Sequence, residues 1–474
     1  SIVSDVGGLP EVTGALDASL VVAPGDVEAL SSRIDAAARG ALPTRSATRR
    51  YAEGFDWSRI VARHRELHRR LARRELDTRL RVVYLDHVAR LSGGEIALLR
   101  LLPHLRGVNA HVILGEDGPL ATRLGQAGIS VEVLAIDPAT RELRKDDVRA
   151  GASVLAGLPG ALRYTARLAM RLRALRPDLV HTNSLKAGVY GSVAARAAGV
   201  PVIWHVRDRL SDDYLPAQAV RLMRALIRRL PDGVIANSTT TLDTLDGATS
   251  GSLHCVIPDS VTLPSPPAAR DSPETTFGMV GRISPWKGQD LFLRAFAAAF
   301  PSDGARAVVV GSAMFGEEAF QRELAALAES LGIAERVVFR GFREDVWAEL
   351  ASFDVLVHAS ITPEPFGQVV LEGMASALPV IAPDEGGPAS MIVDRETGRL
   401  FKSRDAQALA RAMRALHEDR RERERMGRAA RDAVARYHPD VVAEQLERTY
   451  ELLVRRAGRG TRRRFRGRPA RRPV

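Results

Sequence analysis

Thr276-Phe277-Gly278-Met279-Val280 runs directly into Gly281-Arg282-Ile283-Ser284-Pro285-Trp286-Lys287-Gly288. A short apolar run followed by a glycine-bounded polar turn reads as a buried strand and the loop at its carboxyl end. In open α/β sheets ligands bind outside the carboxyl ends of the strands. Arg282 and Lys287, five residues apart, stand at that edge. Lys287 is one of four lysines (145, 186, 287 and 402) among 68 basic residues, so it departs from the chain's default cation. Two fixed cations there suit a diphosphate, whose negative charge grows as it leaves and must be neutralised. From these residues alone, a solvated surface pair is an equal reading.

The same alternation continues on both sides. Strands are predicted at 307–311, 337–340, 355–358 and 379–382, with helices near 289–300, 317–331, 369–377 and 405–416. Upstream, predicted strands at 82–85, 110–114, 130–134, 178–181, 201–206 and 233–237 alternate with helices near 94–105, 162–176 and 187–198. Strand alternating with helix implies parallel, doubly wound α/β sheets. Prolines at 258, 264, 266, 267 and 273 interrupt the pattern once, as a linker does. The predicted order is a Rossmann-like domain over 79–257, a linker over 258–273 and a second Rossmann-like domain over 274–438. A C-terminal helix over 439–455 follows, with a return to the first domain left open, and then an Arg-rich tail over 456–474. A chain of 474 residues accommodates two or three such units.

Residues 1–76 are read as an internal repeat. Asp5-Val6-Gly7-Gly8 matches Asp384-Glu385-Gly386-Gly387, and at the same offset of 379 Asp26, Ala29 and Leu30 meet Asp405, Ala408 and Leu409. With a three-residue shift Phe55-Asp56 meets Tyr437-His438. The segment is expected to be a partial copy of the second domain's end, too small to form a nucleotide site; a functional appendage is the alternative.

Composition excludes several classes. A hydrophobic fraction of 45%, a charged fraction of 26% and a mean hydropathy of -0.09 exclude wholesale disorder, collagen and coiled coil. No run approaches the ~20 apolar residues of a spanning helix. The start Ser1-Ile2-Val3-Ser4-Asp5 has no signal-peptide pattern and no initiator Met, compatible with a start inside a longer reading frame. A lone Cys255 forms no internal disulfide, and the expected compartment is reducing, the cytoplasm or the inner face of its membrane. The formal charge of +11 resides in the tail: ten Arg and no acid lie between 455 and 474, leaving 58 basic against 57 acidic groups elsewhere. Such a tail is expected to be disordered, either inert or in contact with anionic membrane or RNA. The helices near 162–176 and 221–230 mix Arg with apolar residues, as a membrane-lying face or as an ordinary core-facing helix.

Three further motifs carry chemistry. Glu364-Pro365-Phe366-Gly367-Gln368-Val369-Val370-Leu371-Glu372 spaces two carboxylates by eight residues, about 80° apart on an ideal helix, so both address one cleft. Ser92-Gly93-Gly94-Glu95 opens a helix after the first predicted strand, where paired glycines let backbone N–H groups approach a phosphate. No G-x-G-x-x-G follows either first strand, which counts against a nicotinamide dehydrogenase. No D-x-D occurs, so a metal-gripped diphosphate is not expected. His205 ends a predicted strand, and His181, Asn183 and Lys186 end another.

Together, GRISPWKG at 281–288, EPFGQVVLEGMASALPVIA at 364–382, the glycines at 386 and 387, SGGE at 92–95 and VIWHVRD at 202–208 resemble a retaining glycosyltransferase of family four, with the GT-B fold, over about 79–455. The resemblance implies two Rossmann-like domains facing across a cleft and a UDP- or GDP-sugar donor. It implies Arg282 and Lys287 on the donor diphosphate, Glu372 on the ribose, Glu364 on the donor sugar, and Phe366 and Gly367 beside it. Gly93 and Gly94 would approach the phosphate from the first domain and His205 the transferred sugar. Apart from the resemblance, His181, Asn183 and Lys186 are read from their strand end as facing a sugar or lipid-linked acceptor or as merely capping a loop. No cofactor or metal is implied, and nucleic acid is not an expected partner. After Gly386-Gly387 the family often has an acid, present in the first fragment as Glu11 but replaced here by Ser390 and Met391. The competing enzyme reading is a GT-B nucleotide-sugar epimerase. The competing non-enzyme reading is a membrane or RNA binder acting through its tail, with salt-sensitive binding.

Overall fold

The computed structural model describes residues 1–76, 79–137, 152–213, 215–249, 252–265, 274–302, 304–313 and 316–466. The chain divides into two units, 1–78 and 79–474.

In the first unit, β1 (Val3–Ser4) and β2 (Val21–Val22) pair in parallel, with the helices Leu9–Gly14, Val27–Ala38, Arg45–Glu53 and Trp57–Leu76 around and after them. Asp26 starts the helix Val27–Ala38 by accepting from the Ala29 amide at 2.8 Å. Among its described side chains, Leu20 and Val22 are the buried large apolar ones.

The second unit holds two parallel sheets. The first contains β3 (Leu80–Asp86), β4 (Val108–Leu114), β5 (Ser130–Val133), β6 (Leu179–Thr182), β7 (Val202–Val206), β8 (Gly233–Ala236) and β9 (Leu253–Val256), in the order β5-β4-β3-β6-β7-β8-β9. The second contains β10 (Thr275–Val280), β11 (Ala305–Val310), β12 (Val337–Gly341), β13 (Val355–Val357), β14 (Val380–Pro383) and β15 (Gly398–Phe401), in the order β12-β11-β10-β13-β14-β15. Each sheet reverses its winding beside its first strand, and ligands of doubly wound folds bind at that switch point.

Period-two alternation sorts the core. On β3, Val83 and Leu85 pack toward the helices Ala152–Leu175 and Leu185–Ala198, while Val82 and Tyr84 face the helix Gly93–Leu101. That second face is also covered from the far end of the chain. The helix Pro439–Arg466 lays Val442, Ala443, Leu446, Tyr450 and Leu453 on it, at spacings of one helical stripe. The same helix continues to Arg466, so the part of the expected disordered tail at 456–466 is helical, and 467–474 lies outside the described residues. Of the linker, 266–273 also lies outside them.

Two strands escape the sequence pattern. β9 is a half-exposed edge strand, and β15 begins with Gly398-Arg399, so neither shows a continuous apolar run. No helix among the described residues is long and apolar enough to cross a membrane.

Candidate active site

β10 ends at Val280, and the turn Pro285–Lys287 passes into the helix Gln289–Ala299 through Gly288. Gly288 has φ 75°, and a β-carbon there would lie 2.1 Å from the Ala359 carbonyl oxygen, so the turn closes only with glycine. The turn brings both cations against the Trp286 ring, Arg282 Cζ at 5.8 Å and Lys287 Nζ at 4.5 Å from its centroid. Lys287 Nζ donates to Glu364 Oε1 at 2.5 Å, and Ser360 Oγ donates to the same oxygen at 2.6 Å. Burial pushes the Glu364 carboxyl up, but Lys287, then His358 and Ser360, outweigh it and bring its pKa down to about 2. Arg282 Nε lies 3.8 Å from Glu317, which also accepts from Ser284 at 2.7 Å.

Glu372 has other partners. Its helix, Gln368–Ala375, starts behind Gly367 at φ 92°, and the preceding stretch 361–367 is irregular. The helical angle expected between Glu364 and Glu372 therefore does not apply. Arg100 Nη2, on the first-domain helix Gly93–Leu101, donates to Glu372 Oε1 at 2.6 Å. Burial pushes the Glu372 carboxyl up, and Arg100 opposes that push.

The first domain supplies the facing wall. A β-carbon on Gly93 would come 3.5 Å from Gln368 Oε1, and one on Gly94 would come 3.2 Å from Arg207 Cδ. Arg207 gathers the strand ends: Nε donates to Asn183 Oδ1 at 3.0 Å, Nη2 reaches His205 Nδ1 at 3.3 Å, and Nη1 pairs with Asp259. A guanidinium only donates, so His205 Nδ1 accepts and its ring proton sits on Nε2. That Nε2 is buried and has no hydrogen bond among the described residues. Burial, then Arg207 and His181, hold the His205 ring well below the usual histidine range, so it is neutral. Arg209 Nη1 donates to the Pro363 carbonyl at 3.0 Å, so the loop after β7, which follows His205, touches the loop that bears Glu364.

Several predicted positions are held in structural surroundings. His181 is 1% exposed and sits in the core, its Nδ1 2.8 Å from the Tyr450 hydroxyl and its ring against Tyr84 and His205. Burial, reinforced by Arg207, lowers its pKa to about 3. Asn183 is buried as a structural node, donating to Asp86 at 2.7 Å and to the Gly94 carbonyl at 3.2 Å. Lys186 is exposed on the first turn of the helix Leu185–Ala198. The Phe366 ring packs in the core, 6.2 Å from Tyr437. Gly386 and Gly387 support the Glu364 loop instead: the Gly387 amide donates to the Glu364 carbonyl at 2.8 Å.

Arg100, Arg207, Asp259 and Ser360 escape the sequence reading. In a chain with 64 arginines an arginine carries no signal by itself. Arg100 stands seven residues after Gly93, about two helical turns, the one hint that both share a face.

The family description "Glycosyl transferases group 1" matches residues 265–433, and "Glycosyl transferase 4-like domain" matches residues 118–251. The GDP-mannose-dependent alpha-mannosyltransferase of Mycobacterium tuberculosis (strain CDC 1551 / Oshkosh) is 31% identical over 400 residues, 79% of this chain and 97% of that protein. The lipopolysaccharide core biosynthesis mannosyltransferase LpsB of Rhizobium meliloti (strain 1021) is 31% identical over 243 residues, 48% of this chain and 68% of that one. Among solved structures, Anabaena Alr3699/HepE in complex with UDP matches at 27% identity and a TM-score of 0.68, over 78% of this chain and 100% of that one.

Proposed function

Because the chain belongs to the group 1 glycosyltransferases, of the family-four type and GT-B fold, we propose that it transfers a sugar from a UDP- or GDP-sugar to a hydroxyl acceptor, with retention of configuration and without a metal ion. The observation that carries the reading is the Lys287–Glu364 pair with Arg282 beside it, at the carboxyl edge of β10 and across from the first domain. An ammonium has three donors, so Lys287 can hold Glu364 and still address diphosphate oxygens. Arg282 adds the second cation. Glu364, ionised and fixed by Ser360, accepts from hydroxyls of the donor sugar, and Glu372 accepts from the ribose. His205, neutral with its proton on Nε2, donates to the transferred sugar. The acceptor oxygen bonds to the anomeric carbon on the face from which the diphosphate leaves, and the bond from that carbon to the diphosphate oxygen breaks. The hydroxyl proton passes to the departing oxygen, so attack and departure share the charge stabilisation of Arg282 and Lys287. The relative named for lipopolysaccharide core biosynthesis supports a role in envelope polysaccharide or glycolipid synthesis. One relative is named for GDP-mannose and one solved neighbour holds UDP, so both nucleotides enter the test.

Incubation with UDP-glucose, UDP-N-acetylglucosamine and GDP-mannose is expected to release the nucleoside diphosphate from one donor class, faster when acceptor glycolipid or sugar is added. Conversion of the donor to an isomer in the absence of any acceptor would establish the epimerase instead. No binding or turnover of either nucleotide class sinks both readings.

Residues 1–76 fit the reading as a partial copy of the donor domain's end. The β1–β2 register, Val3↔Val21 and Ser4↔Val22, recurs 379 residues on as Ala382↔Leu400 and Pro383↔Phe401 in β14–β15. Asp5 N to Val22 O, at 2.8 Å, corresponds to Asp384 N to Phe401 O, at 2.9 Å. The caps agree as well: Asp405 accepts from Ala408 at 2.9 Å, as Asp26 does from Ala29. Leu30 and Ile34 are 40% and 55% exposed, whereas their counterparts Leu409 and Met413 are fully buried in the donor-domain core. The segment thus carries the copied elements with their core face at the surface. Every donor motif lies at or after Gly93, so deleting residues 1–76 is expected to leave nucleotide affinity unchanged. A loss beyond about tenfold, ~1.4 kcal/mol, would show that the segment contributes to the site.

A further inference from the structure

Glu372 is buried in an otherwise apolar helix stretch, Val370, Leu371, Met374 and Ala375, and an ionised carboxylate in such surroundings requires a cationic partner. The cation comes from the opposite domain. Arg100 Nη2 takes Glu372 Oε1 at 2.6 Å, and the guanidinium lies 5.8 Å from the centroid of the Trp347 ring. The other terminal nitrogen, Nη1, is buried and makes no hydrogen bond among the described residues. A buried donor left unpaired costs about 1–3 kcal/mol, so the arrangement holds a surplus donor beside a carboxylate engaged through one oxygen. A hydroxyl is both donor and acceptor. A carboxylate oxygen and an N–H side by side complement a ribose hydroxyl better than either alone.

Resting on the reading that Glu372 binds the donor ribose, we infer that Arg100 is a positioning residue for the nucleoside. It fixes Glu372 through Oε1, leaves Oε2 to accept from a ribose hydroxyl, and offers Nη1 to a ribose oxygen. Recognition of the ribose is then shared between the domains, and the full contact set exists only with the cleft closed.

The test is calorimetric titration of the full chain with UDP and 2′,3′-dideoxy-UDP, and with GDP and 2′,3′-dideoxy-GDP, using the nucleotide pair that binds the wild type. The wild type is expected to prefer the ribonucleotide by roughly tenfold or more. In Arg100→Met the ribonucleotide is expected to weaken about tenfold and the dideoxy form less than twofold, so the preference collapses. Arg100→Lys keeps a cation without the second aligned donor and is expected to recover only part of the preference, with circular dichroism verifying the fold of both variants. Equal weakening of both nucleotides, or an unchanged preference in Arg100→Met, overturns the inference by making Arg100 a structural bridge alone. Glu372→Gln separates the two layers. If it leaves the preference intact, the ribose reading of Glu372 itself fails; if it abolishes the preference while Arg100→Met does not, only the role of Arg100 fails. A wild type without preference overturns both.

Discussion

Lys287→Ala is expected to lower the rate of sugar transfer by about 10²–10³, the usual loss when one donor aimed at developing charge is removed, roughly 2.7–4 kcal/mol. The geometry adds a second cost. Lys287 is the main cation holding Glu364 ionised against its burial. The folded pKa of Glu364, about 2, lies below its ordinary value of 4.5. That pair therefore contributes stability above the ordinary value, and the contribution is lost as pH falls toward 2. Without Lys287 the buried carboxylate keeps only Ser360 and the neighbouring His358 ring, 3.4 Å from Oε1, against its burial; removing one partner of a buried pair costs about 3–5 kcal/mol. Lys287→Ala should therefore lower Tm as well as rate, and the rate must be measured well below the variant's own melting point. Lys287→Arg separates the roles: a planar fork keeps the charge and the pairing with Glu364 but not the compact ammonium. Its Tm should recover while its rate stays low. A wild-type rate in Lys287→Arg would make Lys287 a structural cation only. EDTA is expected to leave transfer unchanged; inactivation reversed by Mg²⁺ or Mn²⁺ would refute the metal-free reading.

The fold was legible because it rests on short-range signals. Apolar runs at β3, β4, β6, β7, β10 and β11 are buried on both faces, and the helices between them carry their apolar residues on one stripe. Arg282, Lys287 and Glu364 were legible for a related reason: they follow such strands, and the carboxyl edge is where doubly wound sheets bind ligands. The parts of the cleft that depend on long-range approach were not. Arg100 is 272 residues from Glu372, and Arg207 meets Asp259 only because the linker returns past the end of β7. No local periodicity encodes either pairing. His181 shows the converse: a histidine at a strand end reads as placed for function, while the helix Pro439–Arg466 brings Tyr450 over it and buries it in the core. Phe366 lies within the motif, yet its ring points to Tyr437 while its backbone holds the neighbouring carboxylate loop.

That loop leads to the second large expected effect, at a residue without a side chain. The sequence shows Gly386-Gly387 as a turn; the structure shows it as the seat of Glu364. A β-carbon on Gly387 would lie 2.4 Å from the Phe366 carbonyl oxygen, 2.5 Å from Phe366 Cα and 2.6 Å from the Pro365 carbonyl oxygen. All three are backbone atoms, so no side-chain rotation relieves the contact and the 364–366 loop itself must move. Overpacking of this kind costs typically about 1–3 kcal/mol, and a shift of about 1 Å in a positioned group costs about 10²-fold in rate. Gly387→Ala is therefore expected to lower Tm by several degrees and transfer by about 10²-fold, although Gly387 is assigned no contact with the donor. Gly125→Ala is the control. No atom lies within 4 Å of a β-carbon at Gly125, in the helix Pro119–Gln126, so the change should be neutral or stabilising by up to about 1 kcal/mol. Ser390→Ala removes only a 2.7 Å bond to the Gly387 carbonyl and tests whether the loss follows the loop or the short helix behind it. If Gly387→Ala keeps the wild-type rate, the Glu364 loop tolerates displacement and its carboxylate is not held in a working position. If the rate falls in Gly387→Ala alone, the fixed position of Glu364 is what the paired glycines maintain.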